Sequence, residues 1–505
     1  MIALTLAEVA GAVGGVVRGG EGTEVVTGSV EFDSREVGSG GLFVALPGER
    51  VDGHDFAAAA VAAGATGVLV GRPVDAPSVL VPPAVPGGSA STSYALAADT
   101  DGVGAAVLSA LARLARTVVD QLSQPHAEVA TGLRVVGLTG SSGKTSTKDM
   151  VAALLTPLGP TVAPPGSFNN EIGHPWTALR ADRHTRHLVL ELSARGIGHV
   201  AQLCQVAPPS IGVVLNVGSA HLGEFGSRDA VAAAKGELVE ALPADGIAVL
   251  NADDPVVAAM DRRTAAQVVR FGHSAAAHVR ATDVALDDRG RPSFRLVTPV
   301  GDSPVHLAVP GAHQVSNALA AAAVALQLGA TAAGIAAVLA GYQPASRWRM
   351  EVTERPDGVT VVNDAYNANP ESVAAALHTL VAMAATDRRS WAVLGPLGEL
   401  GAAGAAAHRD IGMLAVRLGV DRLVVVGEQA ESMHRGAHES GATDWGGQAG
   451  EASSVLVPDV SAALELLRDE LVTGDVVLVK ASRAFGLERI ADGLLGIGPG
   501  RRGRR

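Results

Sequence analysis

A single cysteine, Cys204, stands in a chain of 505 residues, and aromatic residues make up only 3% of it. A lone thiol excludes an internal disulfide framework and a cysteine-built metal cluster, and it suits a reducing compartment. Nothing near Cys204 in the sequence points to a catalytic thiol, so a buried side chain is expected there. Basic residues are in deficit, with 39 Lys and Arg against 51 Asp and Glu and a net charge of -12. That balance is the opposite of a nucleic-acid footprint. The basic tail, residues 500–505, carries four arginines and is expected to be solvated. The basic-then-apolar order of a signal peptide is missing, since Glu8 precedes the first base, Arg18. One uncharged run, Val315 to Pro344, exceeds the ~20 residues that span a bilayer. Asn317, Gln327 and Thr331 interrupt it, and Gly329 breaks it, so two short buried helices are expected rather than membrane insertion. The cytoplasm is the expected location.

Lysine is the scarcest base. Lys144, Lys148, Lys235 and Lys480 are the only four, and every other base is Arg. Arg and Lys differ in shape, in hydration and in the ability to become a neutral nucleophile. A Lys kept in an Arg background therefore marks candidate chemistry. Lys148 is expected to be the incidental survivor.

What is present is apolar and long. Hydrophobic residues reach 48% and charged residues 18%, which describes a globular chain. At roughly 150 residues per domain the length suggests about three domains. Short strands and turns fill the first region, 1–131, with a loose, Pro/Gly/Ser-rich segment near 82–93. Strands and helices alternate through 132–343, and again through 344–499. The unbroken apolar runs Leu133–Leu138, His187–Leu192, Ile211–Val217 and Ile247–Asn251 fit a parallel sheet covered on both faces. Val359–Asn363, Trp391–Leu394, Arg422–Val426 and Val476–Val479 repeat the pattern. The fold class is α/β: a mixed α/β N-terminal domain, a central domain with a mainly parallel sheet, and a Rossmann-like C-terminal domain.

The strongest motif is Gly137-Leu138-Thr139-Gly140-Ser141-Ser142-Gly143-Lys144-Thr145. It follows an apolar strand and opens a helix. Glycines let backbone N–H groups face phosphate oxygens at a helix N-terminus. Lys144 is then expected at the β- and γ-phosphates, and the Thr145 hydroxyl on Mg²⁺. Glu191 ends the next apolar strand. Asn216 and His221 follow another, and Lys235 sits on a probable helix. With Thr145 they offer ligands for a second Mg²⁺ site. An ammonium repels Mg²⁺, but Lys235 carbamylated by CO₂ would be an anionic ligand, and Arg cannot form that adduct. In the third region, Asn363-Asp364-Ala365-Tyr366-Asn367-Ala368-Asn369-Pro370 ends a strand with more polar groups than a cap requires. Gly395–Gly401 and Lys480-Ala481-Ser482-Arg483 close two further strands.

Read in order, TGSSGKTS, SFNNEIGHP, NVGSAHLGEFGS, AKGEL, GAHQVSNALAA, RWRME, NDAYNANPES, LGPLGELG and VKASR resemble the Mur ligases of peptidoglycan synthesis. The early DSR and FVALPGERVDGHDF resemble the UDP-binding domain of that family, so the likeness covers nearly the whole chain. NDAYNANP is similar to the branch that adds D-alanyl-D-alanine. The resemblance implies a UDP-binding domain (1–131), an ATP-binding domain (132–343) and a ligase domain that takes the incoming dipeptide (344–499). It implies ATP and Mg²⁺, the latter at two sites, as cofactors. UDP-N-acetylmuramoyl-tripeptide and D-Ala-D-Ala are the implied substrates of a monomer.

Carried onto this sequence, Gly140, Ser141, Ser142, Gly143, Lys144, Thr145 and Ser146 match the phosphate loop. Asn317, Arg349 and Asp364 match nucleotide contacts, and Lys144, Glu191, His221 and Lys235 match the catalytic set. Thr145, Glu191, His221 and Lys235 as its carbamate match the metal ligands. Ser34 and Arg35 match the uridine-nucleotide side; Asn170, Asn367, Asn369, Lys480 and Ser482 match the remaining substrate contacts. Two positions depart from the family pattern, Ser193 where Gly is usual and Gln314 where Asn is usual. Both keep a small or amide side chain. Alternatives are a Mur-type ligase adding another amino acid, such as lysine or diaminopimelate, or an inactive nucleotide-binding regulator. The latter requires loss of Lys144, Glu191, His221 or Lys235, and all four are present.

Overall fold

The structure is a computed structural model that describes residues 1–48, 51–82, 99, 101–218, 222–384, 387–445 and 451–497. The loose segment from residue 83 onward, the basic tail and His221 lie outside the described residues.

Local rules set the first elements. Helix Leu6–Val13 opens with a capping box, Thr5 accepting from the Glu8 N–H while Glu8 reaches back, and it closes on Gly14 at φ 66°. Strands Val16–Arg18, Ser78–Leu80, Gly67–Val70, Leu42–Val44 and Val30–Glu31 lie side by side in that order, parallel except for the first pair. Helix Val103–Ser123 then buries Val107, Leu111, Leu114, Val118 and Leu122 along one stripe. That stripe joins Leu6 and Val9 of the first helix to Val135, Leu188 and Leu190 of the central sheet in one continuous apolar cluster. The first and second regions therefore share a core. Aromatics reinforce the junction. Trp176 lies 4.7 Å from Phe168 and 5.8 Å from Phe32 between ring centroids, and its indole N–H donates to Glu31 at 3.0 Å.

The central sheet runs Thr161–Val162, His187–Glu191, Arg134–Thr139, Ile211–Val214, Ile247–Asn251, Gln267–Gly272, Val279–Leu286, Pro292–Thr298, Gly301–His306. Neighbours are parallel up to Val279–Leu286, and the last two strands turn back antiparallel. The middle strands are buried along nearly their whole length, as continuous apolar runs demand. Helices Lys144–Leu155 and His313–Gln327 cover one face; His199–Val206 and Arg228–Glu240 cover the other. The antiparallel extension over 279–306 was not anticipated. Its strands are half-exposed and polar on one face, so they lack the apolar run that marked the others. The uncharged stretch forms two helices, His313–Gln327 and Ala332–Ala340, parted at Gly329, φ 94°. Among the described residues, no helix is long and apolar enough to cross a membrane.

The third sheet runs Glu351–Glu354, Thr360–Asn363, Val476–Lys480, Ser390–Leu394, Arg422–Val426, Ser453–Val457, Thr443–Asp444, parallel apart from its first strand. Two of its helices, Gly404–Arg417 and Glu431–Glu439, touch through glycines. A Cβ at Gly412 would sit 1.8 Å from the Met433 carbonyl oxygen, and one at Gly436 2.0 Å from that of Arg409. Gly412→Ala must push the helices apart, and a loss of about 2–3 kcal/mol is expected. A thermal melt checks it; an unchanged midpoint would contradict the contact. Phosphate loop, Glu191 and Lys480 all stand at carboxyl ends of parallel strands, where open α/β sheets place ligands.

Candidate active site

A cleft of about 520 Å³ opens where the carboxyl ends of the central and C-terminal sheets meet. Its floor is the loop after Arg134–Thr139. Gly143 adopts φ 80°, a left-handed turn that favours glycine, and helix Lys144–Leu155 starts there. The Asn216 side-chain oxygen accepts from the Ser141 and Ser142 N–H groups, both at 2.9 Å, and its Nδ2 donates to the Ser142 carbonyl at 3.1 Å. Asn216 thus holds the loop open from the neighbouring strand. Lys144 folds back onto the Gly140 carbonyl at 2.7 Å. Desolvation lowers its pKa against the pull of Glu191, and Arg349 lowers it further.

Glu191, 1% exposed, is more deeply buried in the cleft than Asp364 at 8%. It accepts from Thr145 Oγ1 at 3.0 Å, Ser167 Oγ at 2.9 Å and Asn169 Nδ2 at 2.7 Å. The Thr145 hydroxyl also accepts from Arg349 Nη2 at 3.1 Å. A buried carboxylate beside a helix-N-terminal hydroxyl is an oxygen donor set suited to a hard cation such as Mg²⁺. Among the described residues, no group of three or more His, Cys, Asp or Glu is placed to hold a metal.

Lys235 lies on Arg228–Glu240, 3% exposed. Burial, and then the charge of Lys144, push its pKa well below the ordinary lysine value. An amine so placed is neutral more readily than any exposed lysine.

The C-terminal side supplies the opposite wall. Lys480, 2% exposed, meets Asp364 at 2.5 Å and donates to the Asn367 carbonyl at 2.9 Å. Desolvation lowers its pKa despite Asp364. Asn369 Nδ2 donates across the cleft to the Ser141 carbonyl at 3.3 Å. Arg349 stacks 4.1 Å over the Tyr366 ring. Asn317 accepts from Thr147 and donates to Gln314 at 2.9 Å, so the Gln in the unusual position keeps an amide partner. His313 lines the same wall. Burial pushes it down to about 4, and its Nδ1 is buried without a partner.

The cleft wall thus gathers Ser141, Ser142, Gly143, Lys144, Thr145, Ser146, Glu191, Asn317, Arg349, Asp364, Asn367, Asn369, Lys480 and Ser482. Ser34 and Arg35 stand apart from it, with Arg35 exposed and paired to its neighbour Asp33. Asn170 accepts from Gly173 N–H, starting a helix, while the adjacent Asn169 reaches Glu191. Ser167 and Asn169 carry no signal of their own in the sequence, while Asn216, grouped there with the metal-site candidates, braces the phosphate loop. The first two lie in SFNNEIGHP, where alternation along the segment decides which side chains face Glu191. Cys204 is buried, and that burial raises its thiol to about 12, so it is inert.

A second groove, about 410 Å³, runs between Val103–Ser123 and His199–Val206. Arg113, Arg116 and Asn170 line it, and Ser193 and Arg195 border both the groove and the cleft.

Comparison with known proteins covers the same three regions. The Mur ligase middle domain model matches residues 138–325, the Mur ligase glutamate ligase domain 348–483, and the Mur ligase family catalytic domain 28–117. A UDP-N-acetylmuramoyl-tripeptide--D-alanyl-D-alanine ligase of Mycobacterium tuberculosis is 55% identical, with 98% of each chain covered. The structure of MurF from Acinetobacter baumannii superposes with a TM-score of 0.80 at 28% identity, covering 98% of this chain and 99% of that one. MurF ligase from Thermotoga maritima in complex with ADP gives 0.74 at 29% identity, covering 94% and 98%.

Proposed function

The chain belongs to the Mur ligase family, and on that premise we propose that it uses ATP to join D-alanyl-D-alanine to UDP-N-acetylmuramoyl-tripeptide. The product is the pentapeptide precursor of peptidoglycan. One observation carries the reading: the phosphate loop and Glu191 face the Asp364–Asn369 loop across a single cleft, in a chain similar end to end to ligases of that name. All substrates are soluble nucleotides or a dipeptide, so the reaction belongs in the cytoplasm. The regions 1–131, 132–343 and 344–499 divide the labour as UDP-binding, ATP-binding and dipeptide-binding units.

The chemistry follows from the wall. Loop N–H groups and Lys144 bind the β- and γ-phosphates. A terminal carboxylate oxygen of the tripeptide attacks the γ-phosphorus, ADP leaves, and an acyl phosphate forms. The dipeptide amine attacks the acyl carbon, and phosphate departs with that carboxylate oxygen, while the amine proton passes to solvent. Arg349, Lys480 and the loop hold charge in place, and closure of the cleft keeps water from the acyl phosphate. Thr145 and Glu191 would hold Mg²⁺, joined by His221 and Lys235 as its carbamate, and the ion would neutralise phosphate charge. The carbamate forms when the neutral Lys235 amine adds CO₂ and releases one proton; the burial of Lys235 supports it.

We place the acceptor peptide in the second groove, with Arg113 and Arg116 near its carboxylates. Arg113→Glu is then expected to raise KM for the acceptor about five- to tenfold with kcat nearly kept, since rim charge governs capture more than chemistry. Steady-state kinetics in acceptor concentration decide it, and an unchanged KM contradicts the placement. The mechanism is tested with an acceptor carrying heavy oxygen in its terminal carboxylate. One labelled oxygen must appear in inorganic phosphate; unlabelled phosphate alongside amide product would exclude the acyl phosphate.

A further inference from the structure

Two charged residues of the phosphate-loop helix touch no phosphate position. Lys148 and Asp149 are 1% and 5% exposed and paired with each other. Lys148 Nζ donates to the Pro164 carbonyl at 2.8 Å and to Ser346 Oγ at 3.2 Å. Asp149 Oδ2 accepts from the Ser346 backbone N–H at 3.0 Å. Ser346 lies on the connection from the central sheet to the C-terminal sheet. One turn of one helix therefore grips that connection by backbone and side chain together.

The far side of the connection is fixed as well. Met350 N–H donates to Asp364 Oδ1 at 3.1 Å. Between the two anchors, Trp348 and Met350 adopt φ 57° and 51°. Non-glycine residues hold such left-handed angles where their surroundings impose them. Arg349 sits between these two, stacked on Tyr366 and bonded to Thr145. Its guanidinium can reach the Thr145 hydroxyl along this path because both ends are held.

A buried ion pair is a poor source of stability; well-packed apolar residues of similar volume often serve as well or better. The chain also uses Arg for almost every other cation. Both facts point away from bulk stability as the role of Lys148. We infer that Lys148 and Asp149 are positioning residues: by fixing Ser346 they set the meeting of Arg349 with Thr145 at the nucleotide site. Phosphate-loop helix and C-terminal unit are coupled through that grip, so a shift of one moves the other. Lys148 is thus a constrained residue, not the incidental survivor that its place in the sequence suggested.

The inference rests on reading the cleft as an ATP site, and ATP-dependent phosphate release by the unchanged chain tests that reading first and separately. The test itself is a double-mutant cycle between the pair variant Lys148→Met/Asp149→Leu and Arg349→Ala. The pair variant should keep its melting temperature to within roughly a few degrees. It should lose about tenfold or more in kcat/KM for ATP, the scale of a misplaced active-site group. On the Arg349→Ala background the same pair change should cost less than about twofold, because residues acting through one another are not additive. Equal losses on both backgrounds, or no loss with Arg349 intact, would overturn the inference. Should the pair variant melt below the assay temperature, Ser346→Ala replaces it, removing only the hydroxyl that Lys148 holds. A loss of about threefold with Arg349 present and none without it is expected; any other pattern overturns the proposal.

Discussion

Lys235→Ala is expected to lower turnover about a thousandfold or more, the scale seen when a charge poised for a transition state is removed. The argument begins with burial. An ammonium 3% exposed, near a second lysine that lowers its pKa further, is costly to keep charged. A neutral amine in the same place can add CO₂ and become an anion, which offsets the nearby Lys144 charge and suits a cation-binding wall. Alanine would lose that anion and leave its space empty. Short carboxylates such as acetate or formate, or bicarbonate, should then restore part of the rate. For the unchanged chain, carbon dioxide must matter. Stripping it from the buffer should slow turnover, and acidification, which protonates the amine and expels CO₂, should do the same reversibly. Turnover measured with and without added carboxylate decides the matter. A variant with near-normal rate, or a null variant deaf to every carboxylate, would remove the carbamate from the account.

Lys144→Ala should cost about as much, two to three powers of ten in kcat/KM for ATP, by loss of a phosphate-directed charge in a shielded site. Its ammonium now rests on the Gly140 carbonyl 2.7 Å away, inside the curl of the loop that would hold the phosphates. Swinging outward requires no backbone change, because Asn216 independently fixes the Ser141 and Ser142 amides. The fold should therefore survive the substitution, and a thermal melt should show it. Lys144→Arg is not expected to rescue, since the broader guanidinium does not fit a point-charge position. A full ATP rate in Lys144→Ala would sink the phosphate-loop assignment.

Local chemistry was legible in the sequence, and distant pairing was not. The phosphate loop was readable because strand, glycines, Lys144 and Thr145 are contiguous. Lys235 and Lys480 stand out because lysine is rare here; both are buried, Lys480 in the cleft wall and Lys235 behind it, within reach of the Lys144 charge. The parallel sheets were readable because strands covered on both faces must be apolar throughout. By contrast, the strands of 279–306 are half-exposed and left no such run. That Asn169 reaches Glu191 while Asn170 lines the second groove could not be read without knowing which way each side chain points. The contacts of Lys148 are illegible in the sequence for the same reason. Its partner Ser346 is 198 residues away, and no spacing rule connects them. Asn369 reaches Ser141 over 228 residues, a contact that exists only because two sheets bring their carboxyl ends together.

The most direct measurement is phosphate release from ATP by the purified chain with Mg²⁺, UDP-N-acetylmuramoyl-tripeptide and D-Ala-D-Ala, omitting one component at a time. Release that requires all three substrates, with one amide product formed per phosphate, is the predicted result. Release supported equally by a single amino acid in place of the dipeptide would keep the fold and the chemistry but contradict the dipeptide as the incoming amine. ATP binding without release under any combination would contradict the ligase itself.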